Sequence, residues 1–426
     1  MLLRSLPSAL CLAVTIITSL CVLAPQSVEA WQDQNAEETL SDKNRSFSAE
    51  AGHGSVTFGL NYYQNSDKGD GNPFLDEALT DIEPVIIFDY NVTDRLSING
   101  NFSYDYVSSA SLKRLENLGY QSGATGDYYY GANLGGAYKL NPDLRLGGNL
   151  SFSTEYDYNS IGLGGFVARD LNNKNTTIKL NVNAFQDTID IIRWNGIQNE
   201  GTDDRTTLSL TGNWYQIITP STHSELGISA THQSGFLETA YNFVVMEYTD
   251  LAHDPPARPL GPESFDPLTF IDDRLDQAAT GEIYSEELPG TRARGSIFGR
   301  VRTSLSPATA VELGGRLYAD DWGISSVTIE PRLYQWLIEE KLSARLRYRF
   351  YAQTAADDYS AHFQMADPPT FRTQDSDLGD FNANGAGLKF SWYFSKSLRF
   401  DLSGDYIQRS DGIDQVLGAV GFNWSF

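Results

Sequence analysis

The chain has 426 residues, 41% hydrophobic and 12% aromatic, with a formal net charge of −24. An acid excess of that size excludes charge-driven binding to nucleic acid or to an anionic lipid surface. Both cysteines, Cys11 and Cys21, fall in the first thirty residues. A chain trimmed there has no disulfide, thiolate metal site or cysteine nucleophile.

Arg4, the apolar run from about Leu10 to Leu23 and the small residues of Ser27-Val28-Glu29-Ala30 form a signal-peptide pattern over residues 1–30. The run is too short to span a bilayer and leads into polar sequence, so the mature chain is expected to begin near Trp31. Leu10 and Leu20 precede the cysteines, which argues against a lipid anchor. A polar, acidic segment, residues 31–53, follows. It is too short to be the globular plug of an energy-coupled receptor.

Beyond residue 30 no run has the unbroken apolar length of a membrane helix. Alternation of period two recurs instead. In residues 54–63, Val56, Phe58, Leu60 and Tyr62 take one face; Ser55, Thr57, Gly59 and Asn61 take the other. Similar segments run at about 84–92, 95–106, 126–140, 144–158, 161–170, 176–186, 206–218, 222–232, 294–305, 309–319, 325–337, 341–352, 385–394, 397–408 and 414–426. Strands with one greasy and one wet face suit a transmembrane β-barrel, with lipid outside and a polar lumen inside. Because alternate residues are polar, a mean hydropathy of −0.34 does not count against a membrane.

The connections support the same fold. Short turns carry Thr93-Asp94, Asn141-Pro142-Asp143, Asn172-Asn173-Lys174-Asn175, Thr219-Pro220-Ser221, Ser306-Pro307 and Ser395-Lys396. Long connections fall at 64–83, 107–125, 187–205, 233–293 and 353–384, while those near 159–160, 320–324 and 409–413 are short. The prediction is an all-β, antiparallel barrel of about sixteen strands over residues 54–426, with short periplasmic turns and longer extracellular loops. A barrel of that size leaves room for a channel unless it is plugged.

Tyr104, Tyr106, Tyr128 to Tyr130, Tyr156 and Tyr158 gather near loop ends, and Trp214, Trp336, Trp392 and Trp424 near turn ends, as two interfacial girdles. The last strand places Phe422, Trp424 and Phe426 on its greasy face. A terminal Phe suits the signal read by the barrel-assembly machinery. A soluble β-sandwich or propeller would not need it.

Four consecutive strands carry the most chemistry. With Val301, Leu313, Ile329 and Leu346 facing lipid, the opposite face holds Arg300, Arg302, Arg316, Arg332, Arg345, Arg347 and Arg349, with Glu312 and Glu330. In hydrocarbon such charges cost several kcal/mol each, so they belong in the lumen. Guanidiniums stay charged and fit carboxylates or phosphates. The wall reads either as an anion-favouring pore lining or docking wall, or as an ion-pair ladder completed by acids of the long loop.

That loop, 233–293, contains Asp254-Pro255-Pro256, Pro259, Pro262, Pro267, and the apolar Phe265, Leu268, Phe270 and Ile271. It is expected to fold into the lumen or over the mouth. The acids Asp67, Asp70 and Asp76, and Asp375, Asp377 and Asp380, read as solvated loop charge rather than calcium ligands, because Gly69 and Gly71 break the EF-hand spacing. His232-Gln233-Ser234-Gly235 partly matches the His-x-Ser-Asn-Gly string of outer-membrane phospholipases. Gly235 replaces the Asn, and His53, His223, His253 and His362 offer no obvious partner. No catalytic, metal or cofactor-binding motif is expected, and the chain is read as a non-enzyme.

Several strings occur in order: Ser108-Ser109-Ala110-Ser111, Ser122-Gly123-Ala124-Thr125, Ser153-Thr154-Glu155-Tyr156-Asp157-Tyr158 and Leu171-Asn172-Asn173-Lys174-Asn175-Thr176-Thr177. Gln233-Ser234-Gly235-Phe236-Leu237, Asp320-Asp321-Trp322-Gly323-Ile324-Ser325 and Arg347-Tyr348-Arg349-Phe350-Tyr351-Ala352-Gln353-Thr354 follow. Together they resemble a family of bacterial outer-membrane proteins known only as a domain of unknown function, from about residue 55 to the C-terminus. The resemblance implies a barrel in the Gram-negative outer membrane and brings no activity. Genes of that family often sit beside those for a small lipoprotein and a periplasmic flavin transferase. A porin-like channel for small, anionic solutes is the leading expectation, and a structural barrel docking a lipoprotein or redox partner is the alternative.

Overall fold

The structure, a computed structural model, describes residues 50–67, 78–108, 127–193, 199–247 and 281–426. The signal-peptide pattern, most of the polar lead-in, Asp70, Asp76 and the loop apolar group Phe265 to Ile271 lie outside the described residues. The first half of the chain forms β1 (Gly54–Asp67), β2 (Leu79–Asn91), β3 (Leu96–Ser108), β4 (Asp127–Asn141), β5 (Leu144–Thr154), β6 (Tyr158–Leu171), β7 (Thr176–Ile192), β8 (Asn199–Thr219), β9 (Thr222–Gly235) and β10 (Phe243–Glu247). The second half forms β11 (Gly281–Ser285), β12 (Thr291–Ser306), β13 (Thr309–Asp320), β14 (Ser325–Ile338), β15 (Leu342–Gln353), β16 (Phe363–Gln364), β17 (Phe381–Ser395), β18 (Leu398–Arg409) and β19 (Ile413–Ser425).

Sixteen of these close a barrel in the order β1-β19-β18-β17-β15-β14-β13-β12-β9-β8-β7-β6-β5-β4-β3-β2, every pair antiparallel. The seam joins the two ends of the chain: Val56 pairs with Trp424, Phe58 with Phe422 and Leu60 with Val420. Closure leaves no edge strand, as a lipid-facing sheet requires. The alternation read from sequence sets the faces. Leu150, Ile161, Leu163, Leu210, Ile228, Leu313 and Leu346 stand exposed on the outside, while their polar neighbours turn inward.

Both described chain ends and seven short turns share one end of the barrel, the periplasmic end of this architecture, while the short connections 155–157, 321–324 and 410–412 lie at the other. Two-residue links such as Pro142-Asp143 and Pro220-Ser221 lie there, where Pro has no ladder bond to donate. In the β6–β7 turn, Asn172, Asn173 and Lys174 are all left-handed, with φ of 51°, 54° and 65°; the paired asparagines tolerate that region best among non-glycine residues.

Several boundaries differ from the sequence reading: β2 starts at Leu79 rather than near 84, β7 runs to Ile192 rather than 186, and β8 starts at Asn199 rather than 206. The segment 144–158 is interrupted, because Glu155 N–H bonds the Tyr158 carbonyl at 2.8 Å and closes a tight loop over 155–157. Tyr158 therefore opens β6 and is buried rather than lying in a girdle. Trp336 also leaves the girdle. It shares the inward parity of Arg332 and Tyr334, and its ring lies in the interior 5.3 Å from that of Tyr393. Trp214, Trp392 and Trp424 remain exposed outside, and Tyr104, Tyr106, Tyr128 and Tyr130 stack on one another near the loop end.

The loop end carries an ordered layer. β10, β11 and β16 form a small sheet in the order β11-β10-β16, and Phe243, Val244, Val245 and Met246 within it are buried. Gly235, with φ of +115°, is where the chain leaves β9 for this layer. A side chain there would meet the Asp204 carbonyl oxygen at 2.0 Å. The next residue, Phe236, packs with Ala240 against Tyr158, Ile189 and Ile191 of β6 and β7. Leu237 packs with Leu288, Ala356 and Leu378 against Trp322 and Ile324, beside Tyr318 of β13. Adjacent residues thus pack on strands four or five apart around the barrel, and Asp377, close to Gln374, pairs with Arg409 of β18, so the layer reaches across the mouth. Hydrophobic burial holds it, with Gln374 Oε1 accepting the Val245 N–H at 2.8 Å.

Candidate functional site

Below that layer lies a cavity of about 2200 Å³ lined by residues from all sixteen barrel strands and by the periplasmic turns. Its charged lining comes in two parts.

On the β12–β15 side, Arg300, Arg302, Arg332, Arg345 and Glu312 line the cavity. Arg332 is buried and donates from Nη1 to Glu312 at 3.0 Å and from Nε to Glu330 at 2.5 Å. Arg347 sits deeper, bridging to Asp405 at 2.6 Å and to Glu330 at 3.9 Å. Arg300 pairs with Glu225 at 2.8 Å. Half the predicted wall is therefore an ion-pair ladder, and among the described residues its added acids are Glu225 of β9 and Asp405 of β18. Gly387 makes the deepest bridge fit. A Cβ at 387 would stand 1.6 Å from the Asp405 carboxylate oxygen, so only glycine leaves the carboxylate its place beside Arg347.

The rest of the wall differs. Arg302, Arg316 and Arg349 have no carboxylate partner among the described residues; each lies against a ring, of Tyr334 at 3.8 Å, Tyr318 at 5.7 Å and Tyr351 at 5.5 Å respectively. Cation–π contact keeps a guanidinium in place without neutralising it. Lys389 and Arg399 extend the basic surface and share Asp401, at 3.9 and 3.0 Å.

Across the cavity the lining changes sign. Glu83 and Asp89 of β2 face in among Asn61, Asn99, Asn101 and Asn133. Asn61 donates to Glu83 at 2.8 Å and Ser55 to Asp89 at 2.6 Å. Asp81 and Asp105 continue this patch toward the loops. None of the four carboxyl groups has an ion-pair partner among the described residues. These acids escaped the sequence reading, although inward parity on the segments 84–92 and 95–106 would have exposed Asp89 and Asp105; Glu83 fell in the expected connection 64–83 because β2 starts earlier, at Leu79.

Other predicted features fall elsewhere. Asp375 and Asp377 are half-buried, while Asp380 is exposed as expected. Asp375 Oδ1 accepts the Asp377 N–H at 2.9 Å at the start of a 3-10 turn, Ser376–Leu378, and Asp377 pairs with Arg409 of β18. His232 and Ser234 share the outer face of β9, with His232 opposite Leu208 and exposed. Phe422 and Trp424 lie outward, and Phe426 exchanges backbone bonds with Gly54 at 2.9 and 3.0 Å.

A family model for proteins of unknown function, DUF3570, matches residues 126–423, from the start of β4 to the last strand. The chain is a DUF3570 protein. No curated protein matches it in sequence. Solved structures similar to this DUF3570 barrel include the siderophore receptor PirA from Acinetobacter baumannii, at 10% identity and TM-score 0.42, covering 85% of this chain and 53% of that one. A "CymD monoaromatic hydrocarbon channel" is similar at 10% identity and TM-score 0.39, with 89% and 90% covered. A "bacterial polysaccharide outer membrane secretin" is similar at 9% identity and TM-score 0.45, with 87% and 98% covered. The DUF3570 chain spans about half the length of the siderophore receptor it matches.

Proposed function

We propose that this DUF3570 barrel sits in the outer membrane as a porin-like channel for small polar solutes, with the arginine-bearing wall favouring anionic groups. The observation that carries this reading is the cavity of about 2200 Å³ to which every barrel strand contributes. Sixteen strands enclose more space than their side chains fill, and arginines held on rings keep charge available to a passing carboxylate or phosphate. The loop layer then acts as the gate. The purified full chain in a planar bilayer tests this. Steady conductance that falls on Arg302→Gln supports the channel, and a silent, folded barrel sinks it.

A second reading is favoured by the position of the cavity, which runs to the periplasmic turns while loops pack across the other end. In it the barrel houses a periplasmic partner such as a lipoprotein. A stoichiometric partner retained on purification from the native membrane, with no conductance, would favour this reading.

A further inference from the structure

The cavity has two poles. In the order around the barrel β12 stands eighth and β2 sixteenth, so Arg302 and Glu83 are eight strands apart in either direction and lie on opposite walls. Both line the same cavity. Each pole carries a charge with no ion-pair partner among the described residues. Arg302 lies on the Tyr334 ring, 3.8 Å away, with no carboxylate bonded to it. At the other pole Glu83 is 7% exposed, and no cation among the described residues pairs with it or with Asp89. Asp105 is opposite Glu83 by the β2–β3 register, in which Val85 pairs with Ser103. It too is 7% exposed, and its Oδ1 has no hydrogen-bond partner. Burying carboxyl groups without a cation or a full set of donors is costly, and a positive group brought to this wall offsets that cost. A negative group does the same at the arginine wall.

We infer that the solute is dipolar: a zwitterion of amino-acid or short-peptide type, oriented with its anionic end toward Arg302 and its cationic end toward Glu83 and Asp89. This rests on the channel reading and adds the cationic half of the solute. A simple anion gains at one wall and is repelled by the other, whereas a zwitterion gains at both. Between the poles, asparagine and serine side chains supply neutral donors and acceptors.

Swelling of liposomes containing the full chain decides it, with glycylglycine, N-acetylglycylglycine and glycylglycinamide as the zwitterionic, anionic and cationic probes. Glycylglycine should enter roughly fivefold faster than either relative, about what one solvated charge pair supplies at its upper end. Glu83→Gln with Asp89→Asn should hand the advantage to the anion, and Arg302→Gln to the cation. If the anion is fastest in the native chain and stays so in the Glu83/Asp89 variant, the dipolar inference fails while the channel stands. If none of the three enters through barrels that remain folded by their gel mobility, the channel reading and this inference both fall.

Discussion

Arg347→Met tests whether the interior above the cavity is dry. Arg347 is 4% exposed, and Asp405, at 8%, takes both its Nη2 and its Nε, at 2.6 and 3.1 Å. No other partner serves Asp405 among the described residues. Removing the guanidinium strands a buried carboxylate, which costs about 3–5 kcal/mol and lowers the folded-to-unfolded ratio roughly 150- to 4000-fold. Asp405→Asn added to Arg347→Met removes the stranded charge and should recover at least about 1.5 kcal/mol, leaving a neutral group short of a donor. Equilibrium urea unfolding in phospholipid vesicles, followed by tryptophan fluorescence, gives both values. A single-variant loss below about 1 kcal/mol, the cost of a solvated pair, refutes the reasoning; so does a double variant no more stable than the single.

Three further outcomes are expected. In the loop layer, burial and then the neighbouring Asp375 push the Glu286 carboxyl up to about 8, and burial and then Asp377 push Asp375 up to about 6. Folded-state values above the unfolded ones mean that the folded layer holds protons the unfolded chain has released. The layer should therefore lose stability as pH rises from about 4 to 8. Hydrogen exchange at Val244–Met246, corrected for intrinsic rate, should quicken over that range and flatten in Glu286→Gln; slowing would contradict the assignment. Gly235→Ala, forced against the Asp204 carbonyl at positive φ, should destabilise the junction of β9 with the layer by about 1–3 kcal/mol, read as faster proteolysis of residues 236–247. Phe426→Ala removes a ring 5.0 Å from that of Trp424 and should lower the yield of folded barrel at the membrane without altering ion selectivity; unchanged assembly would remove Phe426 from the assembly signal.

The barrel was legible because its physics is local. Period-two alternation fixes the faces, and a turn closes each hairpin, so sixteen strands and their parity could be drawn without knowing any contact. Parity also placed Arg332 and Arg347 opposite Val301 and Leu313. It could not say which acid meets which arginine. The Arg347–Asp405 bridge spans 58 residues and depends on the empty space above Gly387, which no pattern of period two records. Trp336 was misplaced by its nearness to the turn, although its shared parity with Arg332 and Tyr334 already turns it inward. The loop layer was least legible: short strands such as Phe243–Glu247 carry no alternation and are held by contacts with Gln374 and Glu286, far away in sequence.

The pairing of β1 with β19 has a consequence for the life of the chain before the barrel exists. Val56 cannot meet Trp424 until every intervening strand has been made and delivered. Until then the growing sheet presents two raw edges with unpaired amides and carbonyls, and its outward leucines face water. Such a species is slow to complete and prone to join edge-to-edge with another copy. The acid excess of the loops and lead-in keeps copies apart through mutual repulsion during that interval. The −24 charge is thus as much a device for surviving transit as a property of the finished barrel.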